Sequence, residues 1–247
     1  MFGLKVLSKL NQKKYRSEYG CFLVEGKKGV MDALKSKQEV MQLVMTRQFA
    51  DQEEKFWGNQ EVSLIDTKDF NRLAETVTPS GIAAVIKIPN YDNGLLEKTK
   101  IIAVLEDIRD PGNLGTMIRT ADWFGIDAII LLGGADPYQA KVVRSSMGSI
   151  FNIPILIAEN SKEELLKLKK KSFRVIVTRP ELANSKTEKT TLTKKIALVF
   201  GNESRGTSQE IDALADEYLS IPKYGQAESL NVAVSFGIVI SDTVKAN

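Results

Sequence analysis

Histidine is absent from the 247 residues, which removes the Ser-His-Asp triad, the Cys-His pair and every histidine metal site from consideration. The single cysteine, Cys21, excludes an intramolecular disulfide and a multi-cysteine zinc site, and fits a reducing cytoplasm. Long apolar runs are missing too. The longest, Leu230 to Ile240, is broken by Asn231, Ser235 and Gly237 and falls short of the roughly 20 residues a membrane helix needs. Met1 to Leu10 mixes Lys5 and Lys9 with short apolar stretches and has no signal-peptide core, so a cytoplasmic protein without a membrane span is expected. An excess of one charge sign is nearly lacking: 34 Lys and Arg stand against 31 Asp and Glu, a net +3, too mild to argue by itself for a polyanionic partner.

What is present is an ordinary globular composition, 43% hydrophobic and 26% charged, long enough for one large domain or two modest ones. The charge is unevenly spread. Residues 1–37 carry nine basic side chains and three acidic ones, whereas residues 91–247 carry twenty of each. Lys13, Lys14, Arg16 and Lys27, with Arg144 further along, are candidate phosphate contacts; Tyr15, Tyr19 and Phe22 lie among the first four. Such a segment suits phosphate contact and stacking on unpaired bases. The same composition fits a solvated basic helix and turn equally well.

Along residues 1–90, short β-type runs alternate with amphipathic stretches: Cys21 to Val24 then Lys27 to Leu34, Met41 to Met45 then Phe49 to Trp57, Val62 to Ile65 then Phe70 to Leu73, then Ile82 to Ile88. A small α/β domain is expected there. Turn formers crowd Ile88 to Gly94, so 91–100 reads as a linker and 101–247 as the second domain. Its runs are nearly continuous: Ile101 to Leu105, Ala128 to Leu132, Ile153 to Ala158, Val175 to Val177, Ile196 to Phe200 and Tyr218 to Ile221. Between them lie helix candidates over 113–124, 138–148, 162–171, 208–215 and 229–244, the pattern of a parallel sheet covered on both faces. The lysines of 167–171 with Arg174 read as the basic end of a surface helix.

In an open parallel sheet ligands bind beyond the carboxyl ends of the strands, and three such segments stand out. The first, Glu106 to Gly125, contains Asp110-Pro111-Gly112-Asn113 and then Arg119, with Asn113 a candidate helix cap. In the second, Gly201-Asn202-Glu203-Ser204-Arg205-Gly206-Thr207, the glycines imitate a phosphate loop, but the lysine that loop requires after Gly206 is missing. Gly201 permits close approach of a ligand to backbone, and Glu203 offers an acceptor for a hydroxyl or a guanidinium. The third runs Ile221-Pro222-Lys223 to Ser229-Leu230-Asn231. Ser229 is a candidate cap for the last helix, whereas Asn231 opens an apolar helical run where Val or Leu is expected. A dinucleotide fingerprint is absent at the first strand-to-helix turn.

Together these three segments resemble, in order, spacing and identity over residues 101–245, the signature motifs of the SpoU (TrmH-type) RNA 2'-O-ribose methyltransferases of the SPOUT superfamily. Tyr15-Arg16 through Phe22-Leu23-Val24-Glu25-Gly26 to Ala33-Leu34 is similar, more weakly, to that family's N-terminal RNA-binding domain. The resemblance implies a parallel sheet with a deep trefoil knot, a topology no periodicity reveals because knotted chains are rare. It implies S-adenosylmethionine as cofactor, held at Gly201, Ile221 and Leu230 with Thr178 close by, no metal, and a homodimer with the site at the subunit interface. Arg119, Asn113, Glu203, Ser229 and Asn231 match the family's polar positions. Lys223 stands where an apolar residue is common. The implied reaction is in-line attack of a ribose 2'-hydroxyl on a sulfonium methyl, the carbon–sulfur bond breaking as a neutral thioether leaves, favoured by orientation and exclusion of water. A guanidinium is essentially always protonated, so Arg119 is better suited to holding phosphate and ribose than to taking a proton. Ribosomal RNA is the expected substrate; transfer RNA, or a catalytically idle RNA-binding role in ribosome assembly, are the alternatives.

Overall fold

The computed structural model describes residues 1–53, 60–91, 94–179 and 195–245. The end of the helix expected to reach Trp57, and residues 92 and 93 of the expected linker, lie outside them. The chain divides into two compact units, Met1–Asn90 with Asp136–Asn152, and Tyr91–Ala135 with Ile153–Asn247.

In the first unit β1 (Cys21–Glu25), β2 (Val40–Thr46), β3 (Val62–Ile65) and β4 (Ile82–Lys87) form a sheet in the order β1-β4-β2-β3. β4 runs antiparallel to both β1 and β2, and β3 runs parallel to β2. Alternation along β1 splits its apolar side chains between the two faces. Cys21 and Leu23 join Leu7, Leu10, Phe70 and Leu73 in one core. Phe22 faces Tyr138, with ring centroids 4.8 Å apart.

That second packing explains why Asp136–Asn152, grouped by sequence with the C-terminal domain, belongs to this unit. Arg16 donates to Asp136 from both Nη2 (2.6 Å) and Nε (2.9 Å), and Gln38 Nε2 donates to the Phe151 carbonyl at 3.0 Å. The helix in this stretch is shorter than expected, Ala140–Ser145.

In the second unit β5 (Ile101–Glu106), β6 (Ala128–Leu132), β7 (Ile155–Ala158), β8 (Arg174–Arg179), β9 (Ile196–Phe200) and β10 (Glu217–Ser220) form the expected parallel sheet, in the order β10-β8-β9-β5-β6-β7. All pairings in it are parallel. β6 and β9 are buried throughout, as strands covered on both faces must be. The chain runs outward through β6 and β7, then returns to set β9 against the other side of β5. The order therefore reverses between β5 and β9, and a crevice at the carboxyl ends of these strands is the place for a ligand. The helices Pro111–Trp123 and Val232–Lys245 pack together beside it, with Phe236 fully buried against Phe200 at 4.8 Å between ring centroids.

Candidate active site

β5 delivers the chain to Asp107, a non-glycine residue in the left-handed region at φ 51°. Its conformation is held from three sides. Asn202 Nδ2 donates to its carbonyl at 2.9 Å, and Arg205 Nη2 (2.6 Å) and Arg109 Nε (3.1 Å) donate to its carboxylate. The hydrogen bond from Arg109, reinforced by the charges of both arginines, holds this carboxyl below the usual carboxylate range.

The following helix is capped by Asp110, whose Oδ1 accepts from the Asn113 backbone N–H at 2.8 Å, with Pro111 at the first helical position. Asn113 is therefore not the cap expected from sequence; it sits inside the first turn with its side chain free for other work. Asn113 Nδ2 donates to Glu203 Oε1 at 3.1 Å, and Asn113 Oδ1 accepts from Asn231 Nδ2 at 3.0 Å. One amide thus joins all three sequence segments. Asn231 in turn caps the last helix, its Oδ1 accepting from Ala233 N at 2.9 Å. The cap is Asn231 and not Ser229, which accounts for a polar residue at the head of an apolar helix.

Glu203 rides on a tight loop closed by two backbone hydrogen bonds between Asn202 and Gly206, with Gly206 at φ 68°. A Cβ on Gly201 would lie 2.3 Å from the Gly206 carbonyl carbon. The loop's own closure therefore requires this glycine, whether or not a ligand also approaches it.

A cleft of about 280 Å³ opens at the ends of β8, β9 and β10. Thr178, Gly201, Glu203, Ile221, Ser229 and Leu230 all line it, and Leu219, Val232 and Val239 supply apolar wall. The Thr178 hydroxyl donates to the Val199 carbonyl at 2.9 Å, so its donor is already engaged. Lys223 also lines the cleft. Arg179, at its edge, is fixed by Asp212 at 2.7 Å and by the Tyr218 ring. Among the described residues no group of three or more His, Cys, Asp or Glu is arranged to hold a metal ion.

Arg119 is not gathered into this cluster. Six residues beyond Asn113, it stands about 9 Å further along the helix axis and roughly 240° around it. Its side chain is exposed and has no hydrogen-bond or ion-pair partner among the described residues. It shares its helix face with Thr116 and Trp123.

Of the candidate RNA contacts, Lys13, Lys14 and Arg144 are exposed, and Lys27 is exposed and paired with Glu53. Arg16 is a correction: it is 4% exposed, its charge paired with Asp136 and its Nη1 donating to the Leu10 carbonyl at 2.7 Å, so it is buried away from any phosphate. Phe22 is likewise buried and cannot stack on a base. Tyr15 stacks on Tyr19, with Lys9 and Lys14 over its ring. Sequence reading did not single out Asp107, Asn202 or Arg205. Little in the local sequence marks Asp107, because two of the three partners that hold its left-handed backbone, Asn202 and Arg205, come from a distant loop.

Comparison with known proteins gives a consistent picture. Residues 100–241 match the SpoU rRNA Methylase family, and residues 3–84 match the MRM3-like substrate binding domain. The chain is 36% identical, over 96% of its length and 94% of the relative's, to 23S rRNA (guanosine(2553)-2'-O)-methyltransferase RlmP of Bacillus subtilis strain 168. It is 31% identical to 23S rRNA (guanosine-2'-O-)-methyltransferase RlmB of Nitrosomonas europaea, over 70% of this chain and 69% of that one. Among solved structures, the AdoMet-bound rRNA methyltransferase from Sinorhizobium meliloti superposes with a TM-score of 0.83 at 31% identity, covering 98% of this chain and 94% of the other. With the second and third motif segments lining one cleft, the first tied to them through Asn113, and a family match across more than half of its length, this chain belongs to the SpoU rRNA methylase family.

Proposed function

We propose that this protein transfers a methyl group from S-adenosylmethionine to a ribose 2'-hydroxyl of ribosomal RNA. The observation that carries the reading is the Asn113 amide, bound to Glu203 on one side and Asn231 on the other at the edge of an apolar cleft. The cleft suits the cofactor. Its apolar wall of Leu219, Ile221, Leu230 and Val239 fits a flat heterocycle, and the loops around Gly201 and Ile221 to Leu230 bring backbone groups to its rim. Gly201, Ile221, Leu230 and Thr178 would hold the cofactor, which supplies a methyl group activated by a positively charged sulfur.

The chain's own residues orient and desolvate. Asn113 holds Glu203 in a fixed direction, and among the described residues Oε1 alone of that carboxylate accepts a hydrogen bond. Oε2 is left to accept a hydrogen bond from an incoming hydroxyl. Arg119, permanently charged and unpaired, binds the phosphate next to the target ribose. Lys13, Lys14 and Arg144 are exposed cations suited to the RNA backbone.

The active form on this reading is a homodimer. Trp123 is 84% exposed on one of the two packed helices, and Val234 and Ile238 are exposed on the other. Exposed apolar side chains on two packed helices support an interface there, and Arg119 lies on the same helix face as Trp123. A cytoplasmic site of action follows from the substrate; among the described residues no helix is long and apolar enough to cross a membrane.

The test is direct. Purified protein with methyl-labelled S-adenosylmethionine and ribosomal RNA, naked or in partly assembled particles, yields labelled 2'-O-methyl nucleosides after digestion. Label confined to transfer RNA would reassign the substrate, and no label in any fraction would leave an RNA-binding role alone.

A further inference from the structure

We propose that the first unit contains a pocket for one unpaired RNA base, formed by the end of β2, the short helices after β2 and β3, and the turn into β4. The inference rests on the RNA-methylation reading above and names a substrate feature that reading does not. The cleft measures about 170 Å³, the scale of a single planar ring system and too small for a folded partner.

Its floor is built and closed. Phe49 and Phe70 are 8% and 1% exposed, and the Thr46 hydroxyl is committed to the Phe49 N–H at 3.2 Å. Gly81, at φ 81°, completes it; a Cβ there would meet Thr46 Oγ1 at 2.7 Å.

The walls are of a different kind. Gln48, Gln52 and Asn71 present side-chain amides, and Thr67 and Ser80 present hydroxyls. None of these five side chains has a hydrogen-bond partner among the described residues. Each amide offers donors and an acceptor, and each hydroxyl offers both.

This chemistry selects its ligand by elimination. No charged side chain lines the cleft, so a phosphate or carboxylate finds no counter-charge there. The unspent donors and acceptors disfavour an aliphatic side chain, which would leave them desolvated and unpaired. The edge of a nucleobase carries donors and acceptors side by side in the pattern that amides bind. An unpaired base can turn that edge into the cleft, which a base held in a pair cannot. Arg47 and Lys68, exposed beside Gln48 and Thr67, are placed by sequence to meet the flanking phosphates.

The experiment uses the full chain and fluorescein-labelled single-stranded heptaribonucleotides carrying A, C, G or U at the centre, or an abasic ribose there, with binding read by anisotropy. Two or three hydrogen bonds to a base make the best base-bearing oligonucleotide bind about tenfold more tightly than the abasic one. The double substitution Gln48→Ala with Asn71→Ala, both at exposed positions, removes that preference and leaves abasic binding unchanged. Equal binding of abasic and base-bearing oligonucleotides by the unsubstituted protein overturns the pocket. So does a variant that loses affinity for both alike, the mark of a structural effect. Methyl transfer to ribosomal RNA is measured on the same preparations. Protein that methylates without discriminating the base defeats the pocket alone; protein that discriminates the base without methylating defeats the methylation reading alone.

Discussion

Asn113 illustrates how one residue's role depends on a neighbour three positions away. Because Asp110 caps the helix by accepting from the Asn113 N–H, the Asn113 side-chain amide is left to bridge Glu203 and Asn231. Asn113→Ala therefore leaves the cap in place and cuts only the bridge. We expect kcat to fall by about 10²-fold, the scale of one lost orienting group, with the melting temperature nearly unchanged. Arg119→Ala is expected to lower methyl transfer by about 10²-fold or more while the S-adenosylmethionine Kd, read by calorimetry, stays within about twofold; an active variant would overturn the mechanism. Asp107 makes a pH-dependent contribution whose sign can be worked out. Its carboxyl lies below the usual range in the folded chain, so the stabilisation is in place above the unfolded value of about 3.9 and is lost as pH falls through the folded one. Asn tolerates left-handed backbone, which makes Asp107→Asn a clean probe. In urea titrations the variant is less stable than the parent at pH 7, and the difference closes as the pH falls through the lowered folded-state value of the Asp107 carboxyl.

Among the elements, the loop from Gly201 to Gly206 is the least tolerant. The contact a Cβ would make there is with backbone at 2.3 Å, which no side-chain rotation relieves. Gly201→Ala is expected to cost about 1–3 kcal/mol and to displace Glu203, seen as a lower melting temperature together with lost cofactor binding. The strands themselves are legible: each apolar run of the second unit forms a parallel strand within a residue or two of its expected ends, and β6 and β9 match end to end because a strand covered on both faces must be apolar throughout. Caps were less legible. Asn113 and Ser229 have the right chemistry, but the Asp110-Pro111 pair and Asn231 occupy the cap geometry, and a proline at the first helical position is the local sign that favours Asp110 over Asn113. The basic helix misled in another way. Composition cannot distinguish a solvated arginine from Arg16, whose partner Asp136 lies 120 residues away. Strand order was equally hidden, since the return of β9 to the far side of β5 depends on packing between distant segments. The amides of the first unit's cleft follow no period at all, and only the fold brings Gln48, Gln52 and Asn71 together.

At the scale of the whole molecule, the position of Arg119 sets the sharpest test. Within one chain it points away from Asn113 and lies on a face with the exposed Trp123, beside a helix exposing Val234 and Ile238. If a second copy covers that face through a two-fold axis, each copy lends Arg119 to the other's Glu203, since a two-fold interface is reciprocal. Arg119→Ala and Glu203→Ala are then both inactive as pure proteins. Co-expressed in equal amounts, half of the dimers are mixed, and each mixed dimer contains one site with both residues intact. Such a preparation regains about a quarter of the parent's activity. If Arg119 instead serves its own chain, every site in the mixture lacks one of the two residues and no activity returns. Trp123→Arg supplies the control: charge buried in the interface separates the copies, light scattering reports a monomer, and activity is lost although both Arg119 and Glu203 remain.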